Sequence, residues 1–133
     1  MADIVLDTHV LLWWQNDATL LSADANTAID SAESIGVSPI SFWEVAMLVR
    51  KQRVGLDRPV VQWCEAIAAD ERVEVVPITA AIAGLAGSLE DLHGDPADRL
   101  ICAAAMTIRS PLLSKDGKIS TFATGEPQLQ VVW

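Results

Sequence analysis

Short apolar runs alternate along the chain with longer stretches in which apolar residues recur at helical spacing. The apolar runs, which predict buried strands, lie at 4–6, 35–40, 73–78, 111–113 and, as an edge strand, 129–133. The stretches with helical spacing predict helices at about 10–14, 23–34, 41–53, 60–70, 79–91 and 95–109. Strands separated by helices indicate βαβ units. We therefore expect one α/β domain over residues 1–133, with a central, mostly parallel sheet of four to five strands between two layers of helices.

Two of these predicted helices have informative beginnings. Ser41-x-x-Glu44 matches a capping box, in which the glutamate side chain reaches back to the amide of the capping residue. The helix from Asp95-Pro96 to about Arg109 is apolar on almost every side, which predicts that it is central and buried.

The composition restricts the possible classes of protein. The chain is 51% hydrophobic and its net charge is −9, from 18 acids and 9 bases. This balance argues against a nucleic-acid coat protein, whose surface is basic, but it permits a nuclease whose acids are masked by cations. It also permits a basic protein partner.

Several features indicate a cytoplasmic protein. No apolar run is long enough to span a membrane, and the first residues lack the pattern of a secretory signal. Cys64 and Cys102 fall in apolar helical patterns without metal-site spacing. We expect two free thiols, as is usual in a reducing compartment.

Acidic residues occur where an apolar stretch gives way to a helix start or a turn: Asp7, Glu44, Asp95, Asp98 and Asp116. In an open α/β sheet, ligands bind just beyond the carboxyl ends of the strands, so these segments would converge on one cleft. Two carboxylates about 5 Å apart repel by roughly 3 kcal/mol at an effective dielectric constant of about 20. A cluster of this kind is expected to hold protons or divalent cations.

Each acid also has a local explanation. Asp7 and Asp95 are suitable helix caps, Asp98 would lie in a first turn, Glu44 would complete the capping box, and Asp116-Gly117 would be a turn. Capping does not require an acid, because serine, threonine and asparagine cap about as well. Metal binding does require anionic oxygens. The shared placement at element ends, never in a helix middle, therefore favours a metal site.

The same residues carry a resemblance to a known family. The motifs are Asp7-Thr8-His9 after a short strand, Ser41-x-x-Glu44, His93-Gly94-Asp95-Pro96-Ala97-Asp98-Arg99-Leu100-Ile101, and Leu113-Ser114-Lys115-Asp116. In this order they resemble the PIN domain and, more narrowly, the toxin ribonucleases of bacterial VapBC toxin–antitoxin systems. The resemblance covers essentially the whole chain. It implies that Asp7, Glu44, Asp98 and Asp116 form a catalytic and metal-binding quartet, with Asp95 as an extra acid.

The resemblance implies metal-dependent hydrolysis of RNA. Asp7 and Asp98 would be the principal ligands of Mg²⁺, with Mn²⁺ as an alternative, and the ion would lower the pKa of a bound water. Thr8 and Ser114 would support this site by holding a metal-bound water, although a local cap is the commoner fate of such hydroxyls. His9 and His93 are expected to be structural, and neither is assigned a catalytic role.

Basic and aromatic residues suggest where partners bind. Arg50, Lys51, Arg53 and Arg58 are either a solvated helix end or contacts to the RNA backbone, and Arg99 would pair with a nearby acid or touch a phosphate. Trp13, Trp14 and Trp43 are either core residues or an exposed patch that anchors a partner. The resemblance implies an antitoxin that inserts a basic side chain among the acids, a homodimer, and contact with DNA only through the antitoxin.

Two other functions fit parts of the pattern. A phosphotransferase would use Asp7 as a nucleophile, but a haloacid-dehalogenase-like site needs a second acid where His9 stands, and a receiver domain needs an acidic pair near its first strand. An acidic interaction module would use its carboxylates only as caps and would neither bind divalent ions nor cleave RNA.

Overall fold

The computed structural model describes all 133 residues. Its strands are β1 (Ile4–Leu6), β2 (Ile35–Val37), β3 (Val73–Val75), β4 (Leu112–Leu113) and β5 (Val131–Val132). Its α-helices are α1 (Thr8–Asn16), α2 (Ala23–Ser31), α3 (Pro39–Arg50), α4 (Val60–Ala68), α5 (Ala80–Ser88), α6 (Pro96–Ile108) and α7 (Gly117–Thr124). One 3-10 turn follows α1 at Ala18–Leu20.

The strands form a single parallel sheet in the order β3-β2-β1-β4-β5. Leu6, the last residue of β1, is in register with Val37 of β2 and Leu113 of β4. The carboxyl ends of the three middle strands therefore lie level with one another. As a result, Asp7 and Ser114, the residues that follow β1 and β4, lie together at one edge of the sheet.

Helices cover both faces of this sheet, as predicted. Along β1 the side chains alternate: Ile4 and Leu6 belong to a hydrophobic cluster with α1 to α4, while Val5 belongs to a cluster with α6 and α7. Alternate residues of a strand point to opposite faces, so the two clusters lie on opposite sides of the sheet. In α6, seven of the thirteen residues are buried, which confirms that this helix is central.

The predicted beginning of α3 is wrong. Ser38, not Ser41, caps the helix: its hydroxyl accepts a bond from the Ile40 amide at 3.3 Å, and Pro39 occupies the first helical position. Proline suits this position because its backbone is already close to helical geometry. Ser41 is therefore buried inside the first turn, and Glu44 lies in the helix interior, where no capping box can form.

Other differences concern short elements. Helix α7 was not expected, because Asp116-Gly117 was interpreted as a turn; instead, Asp116 caps a helix that buries only Ile119 and Phe122. The strands β2 and β3 end at Val37 and Val75, three residues earlier than the apolar runs predict. None of the helices has both the length and the apolar character that a membrane span needs.

Candidate metal centre

The acids predicted from the sequence meet at the carboxyl edge of the sheet. Burial, the largest cause, and the charges of Asp7, Asp95 and Asp116 together raise the pKa of Asp98 to about 6, against the hydrogen bond with His93. The pKa of Glu44 is raised by burial and by the charges of Asp98, Asp95 and Asp7, against its hydrogen bond with Thr8. These carboxyl groups therefore influence one another through space, although they come from four separate segments of the chain.

Asp7 is a buried carboxylate that is held on both of its oxygens. Asp7 is only 2% exposed, and its Oδ1 atom accepts a hydrogen bond from the Thr8 amide at 2.8 Å. Oδ2 accepts the Ser114 hydroxyl at 2.6 Å and lies 3.5 Å from Nδ1 of His9. Asp7 is thus both the cap of α1, as the local explanation predicts, and a member of the acidic cluster.

Thr8 connects the end of β1 to α3. Its hydroxyl donates to Oε1 of Glu44, and its Oγ1 lies 3.1 Å from the hydroxyl oxygen of Ser41. Both Thr8 and Ser41 are buried, so this contact is shielded from solvent. Thr8 therefore holds Glu44, which projects from the interior of a helix, beside the end of β1.

Asp98 is paired with a histidine that the sequence analysis left as structural. Nε2 of His93 lies 2.7 Å from Oδ2 of Asp98, and one ligand atom each from His93, Asp98 and Asp116 lie within 4.8 Å of one another. Asp7, expected as the principal partner of Asp98, is outside this group of three. The sequence feature that could have indicated this contact is the position of His93 in the loop just before the Asp95-Pro96 helix start.

Asp95 and Asp116 combine capping with membership of the cluster. Asp95 accepts the amides of Ala97 at 2.9 Å and Asp98 at 3.2 Å. Asp116 caps α7 through the Lys118 amide at 2.7 Å, and its own amide donates to the Ser114 hydroxyl at 3.1 Å. Both acids line an open cleft of about 910 Å³, together with Asp91, His93, Asp98, Gly117, Lys118 and Thr121.

Arg99 does not pair with Asp95 or Asp98, so that prediction is wrong. Its guanidinium donates to backbone carbonyls at the end of α5 and in the following loop: those of Ala86, Gly87, Leu89, Leu92 and His93. The last carbonyls of a helix lack partners within the helix, as those of Ala86 and Gly87 do here, and a planar guanidinium with five N–H donors is suited to bind several carbonyls at once. Arg99 therefore holds the loop that carries His93.

The basic residues at and just after the end of α3 are exposed. Arg50, Lys51 and Arg53 lie at the carboxyl end of α3 and have no carboxylate partner, whereas Arg58 pairs with its neighbour Asp57 at 3.2 Å. The three unpaired side chains remain free to contact a phosphate backbone.

The tryptophans do not all belong to the core. Trp43 is 58% exposed, whereas Trp13 and Trp14 are half-buried against the hydrophobic core. Trp43 lines an apolar groove of about 370 Å³ with Ile40, Met47, Pro96 and Ala97, and the groove also touches Glu44 and Asp95.

The two cysteines and His9 are further titratable groups near the core. Cys64 and Cys102 are free thiols, as predicted, and burial raises the pKa of Cys102 to about 12. Burial lowers the pKa of His9, against the opposing charges of Asp7 and Asp116, so its imidazole is neutral at pH 7.

The fold and this cluster define a class: an α/β protein with an acidic site at the carboxyl edge of a parallel sheet. Clustered carboxylate oxygens suit a hard divalent cation. The chain belongs to the PIN domain family, whose sequence profile matches residues 4–124. This confirms the resemblance inferred from the four motifs.

Similar proteins extend this assignment. The chain is 37% identical over 134 residues to "Ribonuclease VapC22" of Mycobacterium tuberculosis (strain ATCC 25618 / H37Rv), and the match covers 100% of both chains. It is therefore a homologue of a VapC ribonuclease. Membership of this family argues against the phosphotransferase alternative.

Solved structures show the same fold. VapBC2 from Rickettsia felis, bound to a DNA fragment from its promoter, matches with a TM-score of 0.69 at 17% identity, covering 97% of this chain and 96% of that chain. FitAcB from Neisseria gonorrhoeae matches with a TM-score of 0.66 at 17% identity, covering 98% of this chain and 96% of that chain.

Proposed function

We propose that this protein is a metal-dependent ribonuclease and the toxin of a type II toxin–antitoxin pair. Its active site would consist of Asp7, Glu44, Asp98 and Asp116. The observation that carries the proposal is the meeting of these carboxyl groups at one sheet edge, where burial first and the charges of Asp7 and Asp116 second raise the pKa of Asp98 to about 6. Homology to a VapC ribonuclease supports the same reaction.

The donor set fits Mg²⁺, with Mn²⁺ as an alternative, because hard divalent cations prefer oxygen ligands. Asp98 and Asp116 would hold the ion, His93 would orient the Asp98 carboxylate through its Nε2 atom, and the buried Asp7 would complete the negative field around the ion. When bound, such an ion activates water and neutralises charge on the phosphate.

The protein's own side chains would orient the reacting groups. Ser114 and Thr8 keep Asp7 in one orientation, and Thr8 also holds Glu44. Glu44, with its raised pKa, is suited to orient the attacking water and to accept a proton from it. We assign Asp95 a supporting role, because its Oδ1 caps α6 and so places Asp98.

Binding of RNA would use the few basic groups of an acidic protein. Arg50, Lys51 and Arg53 are exposed and are proposed to contact the RNA backbone. Arg99 is proposed to act only through the loop it holds, because its guanidinium is already bonded to five carbonyl groups.

A protein partner is part of the proposal. The structural neighbours include a VapBC complex and a "Toxin-antitoxin complex from Klebsiella pneumoniae". We propose a cognate antitoxin with a basic segment that reaches the acids, an assembly that contacts DNA only through the antitoxin, a homodimeric toxin, and a cytoplasmic location. The exposed Trp43 beside Glu44 and Asp95 offers an apolar anchor next to the acidic cluster.

The proposal is tested by RNA cleavage with the purified protein in Mg²⁺, in Mn²⁺ and after chelation with EDTA. Asp7→Asn and Asp98→Asn are each expected to reduce cleavage by at least about 100-fold, because each removes charge from the site without changing its shape. Circular dichroism would verify that both variants are folded.

The matched control is Asp30→Asn. Asp30 is an exposed acid in the last turn of α2, which leads into the amino end of β2 and so lies at the opposite edge of the sheet. The Asp30→Asn protein is expected to cleave RNA as fast as the wild type. Full cleavage by pure Asp98→Asn protein would refute the assigned site, and cleavage that resists EDTA would refute the metal dependence.

A further inference from the structure

His9 connects the end of β1 to the loop between β4 and α7. Its Nε2 atom accepts the backbone N–H of Lys115 at 2.9 Å. A backbone amide can only donate, so Nε2 carries no proton and the proton of the neutral ring is on Nδ1. Nδ1 faces Oδ2 of Asp7 at 3.5 Å. Both nitrogens of His9 are therefore directed at groups within the protein.

Aromatic packing holds the ring in this orientation. The imidazole packs in T-shaped geometry against Trp13 and Trp133, with distances between ring centroids of 5.0 Å and 6.2 Å. The centroids of the two indole rings lie 5.7 Å apart. The Nζ atom of Lys115 lies over the ring of Trp13 at 5.8 Å. Lys115 is thus held at its amide by His9 and at its ammonium group by a tryptophan of the same cluster.

The loop fixed in this way carries one of the acids. Ser114 donates its hydroxyl to Asp7 and accepts the amide of Asp116, and Lys115 lies between these two residues. Residues 114–116 are therefore attached to the end of β1 both through Ser114 and through His9. These attachments determine how far the Asp116 carboxylate lies from the Asp7 carboxylate.

We propose that His9 is a positioning residue that fixes the separation of Asp7 and Asp116 through its bond to the Lys115 amide. It is neither a general base nor a metal ligand, because Nε2 is bonded to the Lys115 amide and Nδ1, which carries the ring proton, faces the Asp7 carboxylate. This inference depends on the proposed function, in which these two acids belong to a divalent-cation site. Residues that orient metal ligands typically affect metal affinity by about 10–100-fold.

Two conservative variants separate the roles of the two nitrogens. His9→Gln places a carboxamide oxygen near the position of Nε2 and keeps an acceptor for the Lys115 amide. His9→Asn places its amide near the position of Nδ1, keeps a polar group facing Asp7, and loses the bond to Lys115. The measurement is the dissociation constant of Mn²⁺, from electron paramagnetic resonance of the free ion, followed by kcat and KM for RNA cleavage.

His9→Asn is expected to weaken Mn²⁺ binding by about 10–100-fold and to lower kcat with little change in KM. His9→Gln is expected to retain most of the affinity and activity of the wild type. A general base at His9 would instead make His9→Gln as inactive as His9→Ala, and a metal ligand would make both conservative variants lose affinity. Either result, or wild-type affinity in His9→Asn, would overturn the proposal.

The outcome is distinguishable from failure of the proposed function. If the wild type neither binds Mn²⁺ nor cleaves RNA, the proposed function itself fails. If the wild type does both and His9→Asn equals it, only the role of His9 fails. His9→Gln and His9→Asn both remove the imidazole from the aromatic cluster, so their free energies of unfolding in urea should be similar. A difference in Mn²⁺ affinity between two equally stable variants would then not be due to lost stability.

Discussion

At the scale of single residues, Asp98 shows most clearly what clustering does to an acid. Its pKa is raised from 3.8 to about 6, first by burial and then by the neighbouring acids. The folded protein therefore binds more protons than the unfolded chain between these two pH values. The free energy of unfolding is expected to fall as the pH rises through this window, because Asp98 ionises more easily in the unfolded chain than in the folded protein.

Asp98→Asn should consequently stabilise the protein at pH 7. The gain in unfolding free energy is expected to be about 1–2 kcal/mol, less than the full pKa shift implies, because solvent screens this half-buried group. Asparagine keeps an acceptor for His93 and nearly the same shape. The measurement is urea unfolding at pH 7 and again near pH 4.5, where Asp98 is protonated and the gain should shrink.

Asp24→Asn is the control for this prediction. Asp24 is an exposed acid in the first turn of α2, where its charge favours the helix, so its removal should bring no gain. Equal stabilisation of both variants, or a gain for Asp98→Asn that does not depend on pH, would contradict the electrostatic explanation.

At the scale of elements, local signals predict some boundaries and not others. Ser22 and Asp95-Pro96 predict the starts of α2 and α6 correctly, since a cap acts on its own turn. The start of α3 was misplaced because Ser38 and Ser41 both match the pattern of a cap, and only the end of β2 decides between them. Helix α7 buries just two side chains, too few for a visible helical period.

The lengths of β2 and β3 were overestimated because hydrophobicity, like a cap, is a local signal. The apolar runs continue beyond β2 and β3, but pairing stops where the neighbouring strands end in register. Hydrophobicity therefore predicts where a strand lies, and the partner strands determine its length. The central position of α6 was predictable because its sequence is apolar on nearly all sides.

Gly36, in the middle of β2, marks a close approach between elements. An added Cβ would lie 2.9 Å from both the Ala2 Cβ and the Ile4 carbonyl oxygen. Gly36→Ala is expected to destabilise the protein by about 1–3 kcal/mol, as overpacking typically does. The measurement is the free energy of unfolding in urea.

Gly84→Ala serves as the comparison for the same substitution. Gly84 lies inside α5 and an added Cβ would meet nothing within 4 Å. Alanine is favoured over glycine in a helix, so this variant should gain about 0.5–1 kcal/mol. Equal effects of the two substitutions would show that the contact at Gly36 is relieved by small shifts of its neighbours.

At the scale of the whole molecule, five of the 18 acids meet at one edge of the sheet. The net charge is −9, and the mutual influence of the clustered acids gives the folded state a cost that a divalent cation would relieve. A ligand that binds only the folded state stabilises it by an amount that grows with the logarithm of its concentration relative to Kd.

Mg²⁺ or Mn²⁺ should therefore raise the Tm of the wild type. At about 100 times Kd the expected increase is roughly 5–10 °C for a domain of this size. NaCl at the same ionic strength is expected to give a much smaller change, and Asp98→Asn should lose most of the specific effect. A Tm that responds equally to NaCl and MgCl₂ would show that the acids bind no divalent ion specifically.

The sequence by itself determined the class of fold, the central helix, the caps formed by Asp7 and Asp95, and membership of the PIN domain family. These features depend on local periodicity and capping, and on motifs that can be read in order along the chain. Only the tertiary structure decided that Glu44 approaches from a helix interior and that His93 lies beside Asp98. It also decided that Arg99 binds backbone carbonyls and that His9 joins β1 to the Lys115 loop, because each of these contacts forms only when the intervening elements have packed together.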